Sequence, residues 1–458
     1  MAEHSPSLSR QLAEKLKAIR YETLPDEVIH HAKMLLLDLF GVVLGAQGTP
    51  EADIMLDGFV QTHLDRENGS LLWGTHKFAS MPDAALFNGT LAHVLELDDF
   101  GGADHSGAVV IPALMSVCKG ERGISGRKFI EAMVIGYEAS RRTLEAAGAY
   151  RGHNNAGGWH STGTCGAVGA ACAVAHILDL PIDKMVSAIG FSVTMAGGTW
   201  AFQQDGAMSK RLHSGWAAHL GTYSAQLARS GLTGPEFAFE AEWGGFLNTY
   251  AKESKDPDKL LEGFGDWWRI LRSGIKPYPC CRDNHSTIDV MIDLHRRLDG
   301  DISQIESIDV GCIPEMVQML NNRSPKTVLD AQLSLPFCSS VALLRGRVQL
   351  EDFELDQLEN DEILAVKQKI YLSENKDLPF DSEPLITVAF TDGTAESFTV
   401  PFAKGAPQNP LTVDEVRAKF EMLTRKLLSA ETQGALWQAI DQIEECDDVA
   451  VLEKFLTE

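Results

Sequence analysis

Up to about residue 265 this chain repeats apolar side chains at helical spacing and almost never alternates them with polar ones, which restricts the stretch to helices packed on helices. Residues 25–46 show the pattern. Pro25 suits a first turn, where its missing N–H costs nothing, and Asp26 and Glu27 sit at the positive end of the dipole. Ile29, Ala32, Leu36, Leu39 and Val43 then line one face, and the stretch ends at Gly45 and Gly48. Segments 82–97, 109–118, 127–148, 161–178, 184–198 and 212–230 read the same way, with glycine-rich joints. The run Gly163-Thr164-Cys165-Gly166-Ala167-Val168-Gly169-Ala170-Ala171 has glycines spaced somewhat as in a phosphate loop. No strand precedes it and the GxGxxG order is missing, so closely packed helices are expected and a dinucleotide fold is rejected.

The texture changes after about Ser273. Ile308, Val310 and Cys312 alternate with Asp309 and Gly311, as in a strand over Ile305 to Ile313. Leu385-Ile386-Thr387-Val388-Ala389-Phe390 and Ala395-Glu396-Ser397-Phe398-Thr399-Val400 flank Asp392-Gly393, which predicts a hairpin. Between them a helix is expected from Ala331 to Leu344. Thr412 to Leu428 returns to helix, with Thr412 and Glu415 spaced as a capping box. The expected fold is mainly α: a large all-helical domain of residues 1–268 and 405–458, plus a smaller α+β lid domain of residues 270–402.

Charge narrows the function. The 458 residues carry 40 Lys and Arg against 64 Asp and Glu, a formal charge of -24. Such a surface repels phosphate backbones and anionic membranes, so neither nucleic acid nor membrane is an expected partner. The longest apolar run, Met34 to Gly45, is broken by Asp38 and falls short of the roughly 20 residues that span a bilayer. The opening Met1-Ala2-Glu3-His4-Ser5 lacks a secretory pattern, and a cytoplasmic protein is expected. Cys118, Cys165 and Cys172 lie in small apolar surroundings, as buried thiols do. Cys280 and Cys281 are adjacent and form no CxxC pair. Cys281 and His285 have tolerable ligand spacing but no second pair to complete a zinc site, so no metal is expected.

Four segments place polar groups in glycine-rich or aromatic surroundings. In Asn88-Gly89-Thr90-Leu91-Ala92-His93-Val94-Leu95-Glu96-Leu97-Asp98-Asp99-Phe100, followed by His105, acids crowd the end of an apolar helix. A helix C-terminus is unfavourable for acids, which points to function over a solvated end; His93, on the apolar face, reads as a satisfied core histidine. In Gly157-Gly158-Trp159-His160-Ser161, His160 opens a helix where anions bind and titrates near neutrality. No G-x-S-x-G elbow supports a serine nucleophile. Lys210-Arg211-Leu212-His213 lies in a window, 151–220, with three acids (Asp179, Asp183, Asp205) and four bases (Arg151, Lys184, Lys210, Arg211), fit for an anion. Finally, Lys276-Pro277-Tyr278-Pro279-Cys280-Cys281-Arg282-Asp283-Asn284-His285 falls at the expected domain junction, where ligand clefts are common.

Taken in order, Leu24-Pro25, Leu36-Leu37-Asp38, Asp83-Ala84-Ala85-Leu86-Phe87-Asn88-Gly89, Glu96-Leu97-Asp98-Asp99, Gly158-Trp159-His160, Lys210-Arg211-Leu212-His213 and Lys276-Pro277-Tyr278-Pro279 resemble the MmgE/PrpD family over nearly the whole chain. That family comprises 2-methylcitrate dehydratases, cis-aconitate decarboxylases and iminodisuccinate epimerase. The resemblance implies a cofactor-independent homodimer in which a helical domain and a lid enclose a cleft for a small anionic carboxylic acid. It carries catalytic roles to Glu96, His105, His160, Lys210 and Lys276, with Asp98 as a further candidate to orient a histidine. Lys210, Lys276, Arg211, Arg282 and His285 are the expected carboxylate ligands.

Three departures bear on the reaction. Glu96 replaces the usual aspartate, Phe100 stands where decarboxylases carry a threonine, and Phe337 replaces a lid tyrosine. Two lost hydroxyls count against cis-aconitate decarboxylation. The leading expectation is therefore a 2-methylcitrate-dehydratase-like hydro-lyase, with decarboxylase, epimerase and inactive carboxylate-binding scaffold as alternatives. His105, His160, Lys210 and Lys276 are expected to share one positively charged cleft.

Overall fold

The computed structural model describes residues 5–58, 64–121 and 123–457; Met1-Ala2-Glu3-His4 of the opening stretch lies outside them. A helical domain begins with α1 (Leu8–Ala18), α2 (Asp26–Gly45), α3 (Pro50–Gly58), α4 (Met81–Val94) and α5 (Ser106–Cys118). It continues through α6 (Gly126–Ala146), α7 (Ser161–Ile177), α8 (Ile182–Met195), α9 (Ser209–Ser230) and the short α10 (Phe246–Tyr250). The sheet-containing domain holds α11 (His285–Arg297), α12 (Pro314–Leu320), α13 (Val328–Gln332), α14 (Leu335–Arg345) and α15 (Asp361–Lys367). The chain then ends in α16 (Val413–Thr424) and α17 (Ala430–Asp441). One hydrophobic cluster runs from Leu12 to Ile275 and takes in Val416 to Leu456; a second runs from Cys280 to Val388 and takes in Phe202.

The early part is not wholly helical. Ser70–Leu71 (β1) and Phe78–Ala79 (β2) pair antiparallel, each too short to leave an alternating pattern in the sequence. In the second domain the strand order is β4-β3-β5-β6. β3 (Ile305–Cys312) runs parallel to β4 (Ile370–Glu374) and antiparallel to β5 (Leu385–Phe390), which pairs with β6 (Ala395–Thr399) across the Asp392-Gly393 turn. Gly393 takes φ 86°, as that turn requires. The helix expected from Ala331 to Leu344 is two helices. Pro336, which lacks an N–H, fits the first turn of a helix, and Ser334 Oγ accepts from Phe337 N (3.2 Å) to start α14 afresh.

α2 is long and apolar enough to cross a bilayer, yet 78% of its apolar window is buried among the other helices. Its buried Asp38 pairs with Lys419 of α16 at 2.6 Å, and the same ammonium donates to Leu97 O at 2.6 Å. Burial pushes the Asp38 carboxyl up to about 6 despite that partner.

Glycines set the closest contacts. A Cβ on Gly163 would lie 2.2 Å from Gly197 O, and one on Gly169 2.6 Å from Gly136 O, so the glycines of α7 serve packing. On α9, a Cβ on Gly215 would lie 2.2 Å from both Leu86 O and Thr90 Oγ1 of α4. That approach brings the start of α9 to the end of α4. Gly215→Ala is expected to lower stability by about 1–3 kcal/mol in urea titrations by overpacking the contact.

The chain crosses between domains twice, side by side, with Ile275 N donating to Gly405 O at 3.1 Å. The first crossing is also tied to the loop after α4: Phe100 N donates to Gly274 O (3.1 Å) and Gly274 N to Phe100 O (2.9 Å).

Candidate active site

The helix expected over 82–97 stops at Val94, because Glu96 turns left-handed at φ 55°. Asp104 does the same at φ 71°, next to His105, which opens α5. Left-handed backbone is uncommon outside glycine and is sustained by surrounding contacts. Here it folds the Leu95–His105 loop inward. The acids are consequently not a solvated helix end: Glu96, Asp98 and Asp99 are buried.

Three cations converge on Glu96. Lys276 Nζ, from the first interdomain crossing, lies 3.0 Å from Oε2; Lys210 and Arg211, from the first turn of α9, both bond Oε1. Arg211 also donates to His93 O (3.1 Å) and to Gln332 Oε1 (2.6 Å). Burial opposes ionisation of Glu96, but Lys210 and then Lys276 outweigh it and hold the carboxyl well below its usual range. Burial likewise opposes the charge on Lys276, and Glu96 and Asp98 reverse that and raise its pKa.

A second network alternates imidazoles and carboxylates. Asp98 Oδ1 lies 2.9 Å from His93 Nδ1, and Oδ2 lies 2.8 Å from His105 Nδ1. Asp104 stands between His105 Nε2 (3.6 Å) and His160 Nε2 (3.2 Å). His160 Nδ1 meets His213 Nδ1 at 2.8 Å. His105 Nδ1 also lies 3.1 Å from Asp99 O, which only accepts, so Nδ1 carries a proton. Burial disfavours the His105 cation, but Asp98 and Asp104 together raise its pKa above the usual histidine value. Burial lowers His160, with Asp104 opposing, and pushes His93 and His213 down to about 3. The arrangement thus sets His105, with raised proton affinity, and His160, with lowered proton affinity, on either side of one carboxylate.

Asp99 does structural work: it accepts from Gly107 N (2.9 Å) and Tyr137 Oη (2.9 Å), fixing the start of α5. Burial, with the neighbouring Asp98, pushes it up to about 7.

Glu96, Asp98, His105, His160, Lys210, Arg211 and Lys276 are therefore brought together. His93 is buried and bonded to Asp98, as expected of a satisfied core histidine, and it also packs on His105 with ring centroids 3.9 Å apart. Asp104 and His213 were missed. His213 lies one turn beyond Lys210, so its position was readable; nothing local announces the turn that brings Asp104 between two histidines. Arg282 and His285 stand apart from these bonds. Arg282 pairs with Glu383, and His285, packed edge-on against Phe100 and Tyr278, is held neutral by burial. Phe100 stays beside the site, whereas Phe337 is fully buried in the second domain's core against Phe353.

Two triads, His93–Asp98–His105 and Asp104–His105–His160, have donor atoms within 4.8 Å of one another, the spacing of a metal site. Their carboxylate oxygens face imidazole nitrogens throughout. A cation there would displace those contacts close to Lys210 and Lys276, which act against positive charge on His105 and His160.

Comparison with known proteins gives a consistent result. The MmgE/PrpD N-terminal domain matches residues 10–258 and the MmgE/PrpD C-terminal domain residues 278–445. The chain is similar to a cis-aconitate decarboxylase-like protein, oryM, of Aspergillus oryzae (27% identical, covering 97% of this chain and 96% of that protein). It is also similar to cis-aconitate decarboxylases of Aspergillus terreus (25%, covering 95% and 93%) and Mus musculus (25%, covering 98% and 93%).

Proposed function

The chain belongs to the MmgE/PrpD family, and from that premise we propose that it is a lyase acting on a small tricarboxylic acid without metal or organic cofactor. The observation that carries this is the cation cluster. Lys210, Arg211 and Lys276 already hold one carboxylate, that of Glu96, beside an acid–base pair of histidines. A substrate carboxylate satisfies the same donors through charge-assisted hydrogen bonds. In that role Lys210 and Lys276 bind substrate while Glu96 and Asp98 orient the cations and His105.

Decarboxylation is the reaction we favour, because the similar proteins above carry that name. The carbon–carbon bond to one carboxylate breaks, carbon dioxide leaves, and the electron pair spreads toward a remaining carboxylate held by the lysines. Protonated His105 then delivers its Nε2 proton to carbon. Dehydration is the second reading, favoured by the paired protonation states: neutral His160 takes the proton next to a carboxylate and His105 protonates the leaving hydroxyl. In either case the second domain serves as a lid. We also read the protein as a cytoplasmic homodimer; its eight cysteines are all free, as a reducing compartment requires.

The test is incubation with cis-aconitate and 2-methylcitrate in deuterated water, with and without a chelator. Gas release with one deuterium incorporated, unchanged by the chelator, is the expected result. Water loss without gas selects dehydration, exchange with inversion selects epimerisation, and a stoichiometric metal lost together with activity overturns the metal-free reading.

A further inference from the structure

Gln332 ends α13 in the sheet-containing domain, yet its side chain is buried against the helical domain. Its Oε1 accepts from Arg211 Nη2 at 2.6 Å, and its Nε2 donates to Leu95 O at 3.2 Å. An arginine only donates and a carbonyl only accepts, so both ends of the amide are specified and the group cannot flip. Arg211 is one partner of Glu96, and Leu95 is the residue before Glu96; one amide thus grips the cation and the left-handed turn that carries its carboxylate. The main chain is anchored as well, with Gln332 O accepting from Cys281 N (2.9 Å) and Asn284 Nδ2 (3.1 Å), just beyond Lys276 on the interdomain crossing.

We infer that Gln332 is a positioning residue, which sets Arg211 and the Glu96 turn in register when the sheet-containing domain closes on the helical one. The inference rests on the proposed lyase reading for its kinetic part alone. The amide reads domain closure because its two bonds exist only when the domains meet. Its side-chain hydrogen bonds go to Arg211 and Leu95, so its effect reaches chemistry through Arg211 and Glu96.

The experiment uses the full-length protein and two variants. Gln332→Leu keeps the volume and removes both bonds. Gln332→Glu keeps an acceptor toward Arg211 and puts a second acceptor against Leu95 O. Gln332→Leu is expected to lower kcat/KM for the turned-over tricarboxylate about 10- to 100-fold, the scale of a small misplacement of a catalytic constellation. The double variant with Arg211→Lys should be no slower than the worse single, because both act through one guanidinium. Additive losses with Arg211→Lys overturn the inference.

Amide hydrogen exchange on the substrate-free protein gives an arm independent of activity. Both Gln332 variants should speed exchange in peptides covering residues 93–99 and leave the Cys281 amide, bonded to the Gln332 main chain, unchanged. If 93–99 is unaffected, or if both regions loosen together, Gln332 is ordinary packing and the inference fails. If no polycarboxylate is turned over by the wild-type protein, the lyase reading fails while the exchange result still decides the role of Gln332.

Discussion

Glu96→Gln should destabilise the folded protein by about 3–5 kcal/mol, the range for breaking a buried ion pair from one side. Lys210, Arg211 and Lys276 would be left in the interior without their shared carboxylate. Against a typical total of about 5–15 kcal/mol, that is enough to leave the variant marginal. The sign of the pH dependence follows from the depressed Glu96 carboxyl. Its stabilisation is fully present above the unfolded value near 4.5 and is lost as pH falls through the much lower folded value. The gap between wild type and Glu96→Gln should therefore be widest at neutral pH and narrow on acidification below about pH 4.5. Urea midpoints across that range measure it. Glu96→Asp keeps the charge, and aspartate tolerates left-handed backbone well, so it should recover most of the loss. A tricarboxylate should stabilise Glu96→Gln more than wild type, because only the variant has three cations with no carboxylate of their own to displace. Equal stabilisation of both would mean that the ligand does not enter this cluster.

The same residues mark how much was legible beforehand. α2 and α6 to α9 announce themselves because their apolar faces repeat every three or four residues, a pattern that survives without any tertiary knowledge. Thr412 and Glu415 carry their capping box in the sequence, and Asp392-Gly393 its turn. Glu96, His160, Lys210 and Lys276 were readable because charged groups in glycine-rich or apolar surroundings need a reason to be there. The connections between them were not. Lys276 and Glu96 are 180 positions apart, and only the packing of α4 on α9 and the interdomain crossing makes them neighbours. Local spacing marked His93 as a satisfied core histidine but not what satisfies it: Asp98 is five residues on and reachable only because the helix stops at Val94. The left-handed turns at Glu96 and Asp104 are held by distant contacts, and these turns build the site.

Removing either relay histidine should cost turnover heavily: His105→Ala and His160→Ala are each expected to lower kcat about 100-fold or more, the usual share of a general acid or base. Their pH signatures differ in sign. His105 is raised above its usual value by Asp98 first and Asp104 second, both working against burial. Its proton is held more firmly than an ordinary histidine's, and a step that needs that proton slows as pH rises through its folded value. His160 is lowered by burial and stays neutral, so a step that needs it as base slows only as pH falls through that lower value. Replacing a carboxylate by its amide removes charge and keeps shape. Asp104→Asn, which faces both rings, should move both limbs of the rate profile to lower pH. Asp98→Asn should move the basic limb further than Asp104→Asn does, because Asp98 is the stronger influence on His105, and it should leave the acidic limb nearly in place. Profiles of kcat against pH for the two variants check this ordering. A basic limb that ignores Asp98→Asn would take the acid role away from His105, and one that follows Asp104→Asn alone would move it to His160.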